Sequence, residues 1–217
     1  MSQLAQSFAD STAMPRRTWL GTALWWVMLL SCVSVTVYAA RYFVRPIRDQ
    51  HWARYIMPLR LHIAGGMGAL LAGPWQFSER LRTRAPEWHR WLGRFYLLEV
   101  ALGSIAGFAM AIVSQEGLAT HLGFGALAVL WFFTGWQAYR QVRQGKIEEH
   151  RQWMTRNFAL TLAAVTLRNY IPLMLFGLHW SFRTTYITVS WLCWVPNLLV
   201  AEWLVRRFPR HELSPVR

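Results

Sequence analysis

The chain has 217 residues, 54% of them hydrophobic, with 14 tryptophans and a mean hydropathy of +0.20. So many tryptophans suit a membrane protein, which uses them as anchors at its two interfaces, better than a soluble domain of this size. The formal net charge of +13 is almost wholly arginine, Lys146 being the only lysine; the arginines fall between long apolar runs, which argues for membrane topology and against a nucleic-acid partner.

Residues 1–17 read as a disordered cytoplasmic tail that closes on Pro15, Arg16 and Arg17. Six apolar segments follow, at approximately 18–39, 59–77, 91–114, 119–139, 157–177 and 184–205, each near the roughly 20 residues that a bilayer requires. The expected fold class is therefore all-α, a polytopic membrane domain of six transmembrane helices over 18–206, followed by a second cytoplasmic tail at 207–217. The first run ends on "VYAA", which faintly resembles a signal-peptidase site, but its length favours an uncleaved anchor. Cys32 and Cys193 lie inside apolar runs and read as small buried hydrophobes, with no C-x-x-C-H for covalent haem attachment.

Basic residues set the orientation. Arg16 and Arg17, the stretch 78–90 with Arg80, Arg82, Arg84 and Arg90, the stretch 140–156 and the C-terminal tail all fall on one side if the spans alternate. The positive-inside rule makes that side cytoplasmic, so both termini are expected in the cytoplasm of a bacterial inner membrane. The first outer loop breaks the pattern with Arg41, Arg45, Arg48 and Arg54. Two readings stand side by side there: contact with lipid headgroups, and a docking surface for an anionic molecule.

Four histidines then stand on four consecutive spans in alternating register. His62 and His121 lie at the outer ends of spans two and four, while His89 and His150 precede spans three and five on the inner side. Helical steps from His62 reach Gly66, Ala69 and Gly73, and steps from His121 reach Gly125 and Ala128; each face is an imidazole followed by small residues. Two imidazoles from facing helices suit the iron of a haem b, and a flat macrocycle needs small residues beside its ligands. The pairs His62–His121 and His89–His150 thus predict two haems b, with levels on the order of 20 Å apart. Interfacial histidines and ordinary small-residue helix packing are the competing reading.

Arg168, eighteen residues or five turns after His150, falls on the same helical face in the outer half of span five. A charge at that depth needs a partner or a cavity, and the expectation is a haem propionate or an anionic substrate, with a structural ion pair or outward snorkelling as the alternatives. Glu99 could relay protons or pair with Arg94, and Glu202 is spaced to pair with Arg206. The histidine spacings do not match compact zinc motifs, and no P-loop, G-x-S-x-G or H-E-x-x-H occurs.

Several phrases carry a family resemblance. "LHIAGGMGALLAGPWQF", "HRWLGRFYL", "HRQWMTRNFALTLAAVTLR" and "WLCWVPNLLVAEW", within about 60–206, resemble the bacterial membrane family known as domain of unknown function 2306. More loosely, the order of the histidines resembles that of di-haem transmembrane cytochromes b that take electrons from ascorbate, and of their ferric-reductase relatives. That resemblance implies a four-helix core of helices two to five, with helices two and four sharing one haem and three and five the other. The ascorbate-binding motifs of those proteins have no match here. The leading expectation is transmembrane electron transfer through two bis-histidine haems b, with a small anionic or quinone-like donor or acceptor, the lipid bilayer, and a possible homodimer as partners. A haem-free permease or exporter, or an assembly partner of a respiratory complex, is the alternative.

Overall fold

In hydrocarbon a backbone must satisfy its own polar groups, and a run of apolar residues does so by coiling into a helix. The computed structural model describes residues 19–45 and 49–207, and every regular element in them is helical. In chain order these are α1 (Trp19–Val44), α2 (Gln50–Arg54), α3 (Ile56–Gln76), α4 (Glu79–Arg84), α5 (Pro86–Ile112), α6 (Leu118–Arg143), α7 (Ile147–Thr161), α8 (Ala163–Pro172) continued by a π-helical turn over Leu173–Gly177, α9 (Phe182–Leu192) and α10 (Val195–Arg207). Six helical stretches are long and apolar enough to cross a membrane, the fifth joining α7, α8 and the π turn, the sixth joining α9 and α10. The expected N-terminal tail, all but the first residue of the expected C-terminal tail, and Arg48 lie outside the described residues.

Two spans begin earlier than their apolar runs. Helix α5 starts at Pro86, whose missing N–H costs nothing in a first turn, and Glu87 there complements the positive end of the helix dipole. Helix α7 starts at Ile147 with Glu148 and Glu149 in its first turn. His89 and His150 therefore sit inside helices rather than in the loops before them. The charged connections also carry short capped helices: Asp49 accepts from the backbone N–H of His51 (2.9 Å) and Trp52 (3.3 Å) ahead of α2, and the Ser78 hydroxyl accepts from Leu81 N–H (3.4 Å) ahead of α4.

Helices α3, α5, α6 and α7 pack in sequence as an antiparallel core. Gly65 meets Gly103 so closely that a Cβ on Gly65 would lie 2.6 Å from the Gly103 Cα. Further along the same seam Gly68 faces Glu99, and Gly93 faces Gln76. Between α5 and α6, Gly103 faces Trp131 and Gly135 faces Val100. A buried polar lattice ties α5, α6 and α7 together at the centre. Tyr96 Oη donates to Asn157 Oδ1 (2.6 Å) and lies 2.9 Å from Thr161 Oγ1, Trp131 Nε1 donates to Thr161 Oγ1 (2.9 Å), and Asn157 Nδ2 donates to Trp131 O (2.7 Å) and Thr134 Oγ1 (2.8 Å). Every member is satisfied, so the lattice fixes one alignment of three helices without an orphaned group.

The remaining spans clad this core. Trp25 Nε1 of α1 donates to the Pro74 carbonyl (3.3 Å), an acceptor available near the end of α3. Spans five and six are interrupted near Leu162 and near Cys193–Trp194, and the two breaks are stitched: Thr166 Oγ1 donates to the Cys193 carbonyl, and Asn197 Nδ2 donates to the carbonyls of Ala159 (3.2 Å) and Cys193 (3.0 Å). Glu202 on α10 bridges Arg156 of α7 (2.8 Å) and Arg206 (2.7 Å), so the expected Arg206 pair exists and is joined by a second arginine. Large apolar side chains such as Leu24, Val27, Leu98, Ile105, Val129 and Leu199 point outward from the bundle, a surface that only lipid covers without cost.

Candidate functional site

The alternating run of spans puts His62 and His121 toward one end of the bundle, the His62 end, and His89 and His150 toward the other, the His89 end. His62, on the second turn of α3, has Nδ1 2.9 Å from the carbonyl oxygen of Gly103 on α5. A carbonyl only accepts, so the proton sits on Nδ1 and Nε2 is bare. The ring fits because α5 offers no side chain at Gly107, where a Cβ would come 2.6 Å from Nδ1. His150, on the first turn of α7, repeats the arrangement: its Nδ1 lies 2.8 Å from the carbonyl of Ala138 on α6. Both rings are thus held in the tautomer that a metal-binding imidazole adopts when a backbone carbonyl fixes its other nitrogen.

The other two rings are untethered. His89 has a buried Nδ1 with no hydrogen-bond partner among the described residues, and it lies within electrostatic reach of His150 and Arg82. The ring of His121, on the first turn of α6, makes no hydrogen bond among the described residues; it borders an open groove shared with Phe108, Ala111, Ile112, Leu122 and Gly125.

The helix register adds a stagger. The α3–α5 and α5–α6 contacts set His62 level with Ala106 and, through α5, with Ala128, so His121 starts about seven residues, roughly 10 Å, nearer the helix end. At the opposite end His89 lies a similar step beyond His150, which is level with Ala138. Each end therefore has one deep, tethered imidazole and one shallow, untethered one. The tethered pair, His62 and His150, are separated by about ten residues of α6, roughly 15 Å along the axis. Trp131 and Tyr96 of the central lattice lie between them.

The small residues beside His62 are put to a different use than a ligand groove. Ala69 is fully buried and Gly73 is filled by the Phe158 ring, while Gly66 faces open space. It is Gly65 and Gly103, one step around the helix, that bring α3 and α5 together. By contrast the small residue beside His121 does border open volume: a Cβ on Gly125, which lies in the groove, would meet nothing nearer than Phe108 at 3.8 Å.

Arg168 also stands at the His62 end. Its NH1 donates to the Ala164 carbonyl (2.9 Å), while its Nε is buried without a partner. Its guanidinium stands 5.8 Å from the centre of the Tyr38 ring on α1 and within electrostatic reach of His62, Tyr42 and Arg41. No carboxylate pairs with it: the ion pairs among the described residues are Arg151–Glu148, Arg156–Glu202 and Arg206–Glu202. The structural ion pair considered for Arg168 is therefore not formed. Nor is the one considered for Glu99. Arg94 turns to the Trp91 ring (5.1 Å), and the Glu99 side chain occupies the notch at Gly68 with no ion pair or hydrogen bond among the described residues.

Sequence reasoning passed over Tyr38 and Tyr42 and took Arg41 only as one of the first-loop arginines, although the i, i+3, i+4 spacing in "YAARY" places all three on one face. It also passed over Tyr96, Trp131, Asn157 and Thr161, which no local pattern marks. Among the described residues no three or more histidines, cysteines or carboxylates cluster for a metal ion. A bis-imidazole iron needs only two protein ligands.

A family model described as a predicted membrane protein (DUF2306) matches residues 59–205, which spans α3 to α10 and so contains all four histidines and Arg168. No curated protein and no solved structure matches the chain.

Proposed function

The chain belongs to the DUF2306 family of predicted membrane proteins, and for it we propose transmembrane electron transfer through two b-type haems, one near each end of the helical core. The observation that carries the reading is the repeated tether: two imidazoles at opposite ends of the bundle, each with Nδ1–H on a backbone carbonyl of the neighbouring helix and Nε2 bare. His62 and His121 would hold one group, His89 and His150 the other, with the shallow ring of each pair moving in across the stagger of roughly 10 Å to reach the level of the deep one; the orphaned Nδ1 of His89 suits a bound group at its end. Haem supplies a one-electron iron centre, and an imidazole from each of two helices favours electron transfer over binding of a gas.

This chain's own residues do the rest. The backbone carbonyls of Gly103 and Ala138 orient the ligand rings and raise their basicity. Arg168, buried near His62 without an acid, is placed to meet a carboxylate on whatever that imidazole binds. The Tyr96–Trp131 lattice holds α5, α6 and α7 in a fixed alignment between the two levels.

A reduced-minus-oxidised absorption spectrum of the full chain, expressed with haem supplied, tests the proposal. It predicts sharp Soret and α bands, with one of two spectral components lost in His150→Ala and the other retained. Folded protein with no such bands contradicts it. One observation favours a second reading, a proton-coupled permease or exporter: Glu99 sits midway along α5 with no ion-pair partner among the described residues, and intramembrane carboxyls of that kind mark ion pathways. That reading predicts colourless protein whose transport is lost in Glu99→Gln.

A further inference from the structure

The His62 end concentrates positive charge that the described residues leave unneutralised. Arg41 on α1 lies with its guanidinium 3.7 Å from the centre of the Tyr38 ring and 5.0 Å from that of Tyr42, and its NH2 donates to Tyr42 Oη (3.3 Å). Arg168 on α8 approaches the Tyr38 ring at 5.8 Å, so two guanidinium groups drawn from two spans approach this one ring. Arg60, two residues before His62, adds another buried Nε without a partner.

The acids at this end leave the two arginines without an ion pair. Asp49 caps α2, and Glu116 lies within electrostatic reach of Tyr186. Neither forms an ion pair with Arg41 or Arg168. Guanidinium groups half sunk in a membrane bundle without an anion are costly, and their stacking on tyrosine rings offsets only part of that.

We propose that Arg41, Arg168, Tyr38 and Tyr42 form a binding site for one phosphate group at the His62 end. The Nε of Arg168 has no partner among the described residues, and the Nε edge of a guanidinium is the one that matches two oxygens of an oxyanion in a fork. The hydroxyl of Tyr42 accepts from Arg41 and keeps its own proton to donate, and Tyr38 lies against the same guanidinium. Depth agrees with the chemistry. Arg41 is three residues and Tyr38 six residues from the end of α1, roughly 5 and 9 Å short of it, so both stand in the last two turns of that span, where a membrane helix nears its interface. The phosphate is that of an anionic lipid headgroup or of a soluble phosphate compound. The site stands on its cations alone and does not need the haem reading.

The test uses the full chain purified without haem in a phosphate-free maltoside detergent, with two probes: inorganic phosphate and phosphatidylglycerol. Binding is read by calorimetry for the first and by native mass spectrometry for the second. One equivalent bound, weakened at least tenfold in both Arg41→Gln and Arg168→Gln and unchanged in the exposed Arg54→Gln, is the expected result. Binding of phosphatidylglycerol alone assigns the site to a lipid headgroup; binding of inorganic phosphate as well assigns it to a soluble phosphate. Binding of neither probe, or binding that the two variants retain, overturns the proposal. Should Arg168→Gln fail to fold, Arg41→Gln, near the exposed end of α1, decides between the two outcomes alone. Since the protein is haem-free throughout, a chain that never takes up haem still binds or fails to bind these probes, and the two proposals stand or fall separately.

Discussion

At the scale of single residues, two neighbouring glycines on α3 have opposite fates. Gly65 lies against the backbone of Gly103, whereas Gly66 faces open space. Gly65→Ala forces a Cβ onto rigid backbone, which neither a rotamer change nor a small shift relieves, so a loss of about 1–3 kcal/mol or more is expected. Gly66→Ala is expected to leave thermal unfolding in detergent unchanged, or to raise its midpoint slightly through helix propensity. Both glycines are visible in "LHIAGGMG", but which one meets a neighbour depends on a register that only the packed helices define. The central lattice invites a similar contrast. Tyr96→Phe strips the partner from Asn157 Oδ1, a buried acceptor, and is expected to cost about 1–3 kcal/mol in the same melt while leaving the tethers of His62 and His150 intact.

At the scale of elements, the six spans are legible because hydrocarbon demands long apolar runs, and that demand is written in the sequence one residue at a time. Their starts are less legible. "PEWHRW" and "KIEEHRQWM" are polar enough to pass for loops, yet Pro86 and the first-turn glutamates are helix-starting chemistry, and the helices begin there. This is why His89 and His150 move from loops into first turns, where their rings acquire a fixed height. Glu202 is half legible: its i, i+4 spacing to Arg206 announces one pair, while Arg156, on another span, is invisible until α7 and α10 pack. Glu202→Gln is expected to loosen α10 from α7 by no more than about 1 kcal/mol, because the cluster is partly exposed, and the loss should shrink as salt is raised. A melt of the variant at low and high ionic strength checks it.

At the scale of the whole molecule, an antiparallel core carries two mirrored ends. Each end has a deep imidazole fixed to a neighbouring helix and a shallow one left free, and the polar lattice of Tyr96, Trp131, Asn157 and Thr161 separates them. The pairing of histidines by end could be read from alternation of the spans, since that requires only counting. The stagger within each pair, and the tethers, could not, because both depend on backbone carbonyls that no side-chain pattern announces. The arginine surplus at the His62 end was visible in the composition of the first loop, but its focus on Tyr38 depends on α8 reaching α1.

The most direct test of the account is the haem content of the purified, folded chain, measured as its pyridine haemochrome against protein concentration. Two haems per chain are predicted, falling to one in His62→Ala and to one in His150→Ala. A folded chain that carries none after expression with haem supplied, or whose haem content is unchanged by both replacements, contradicts it.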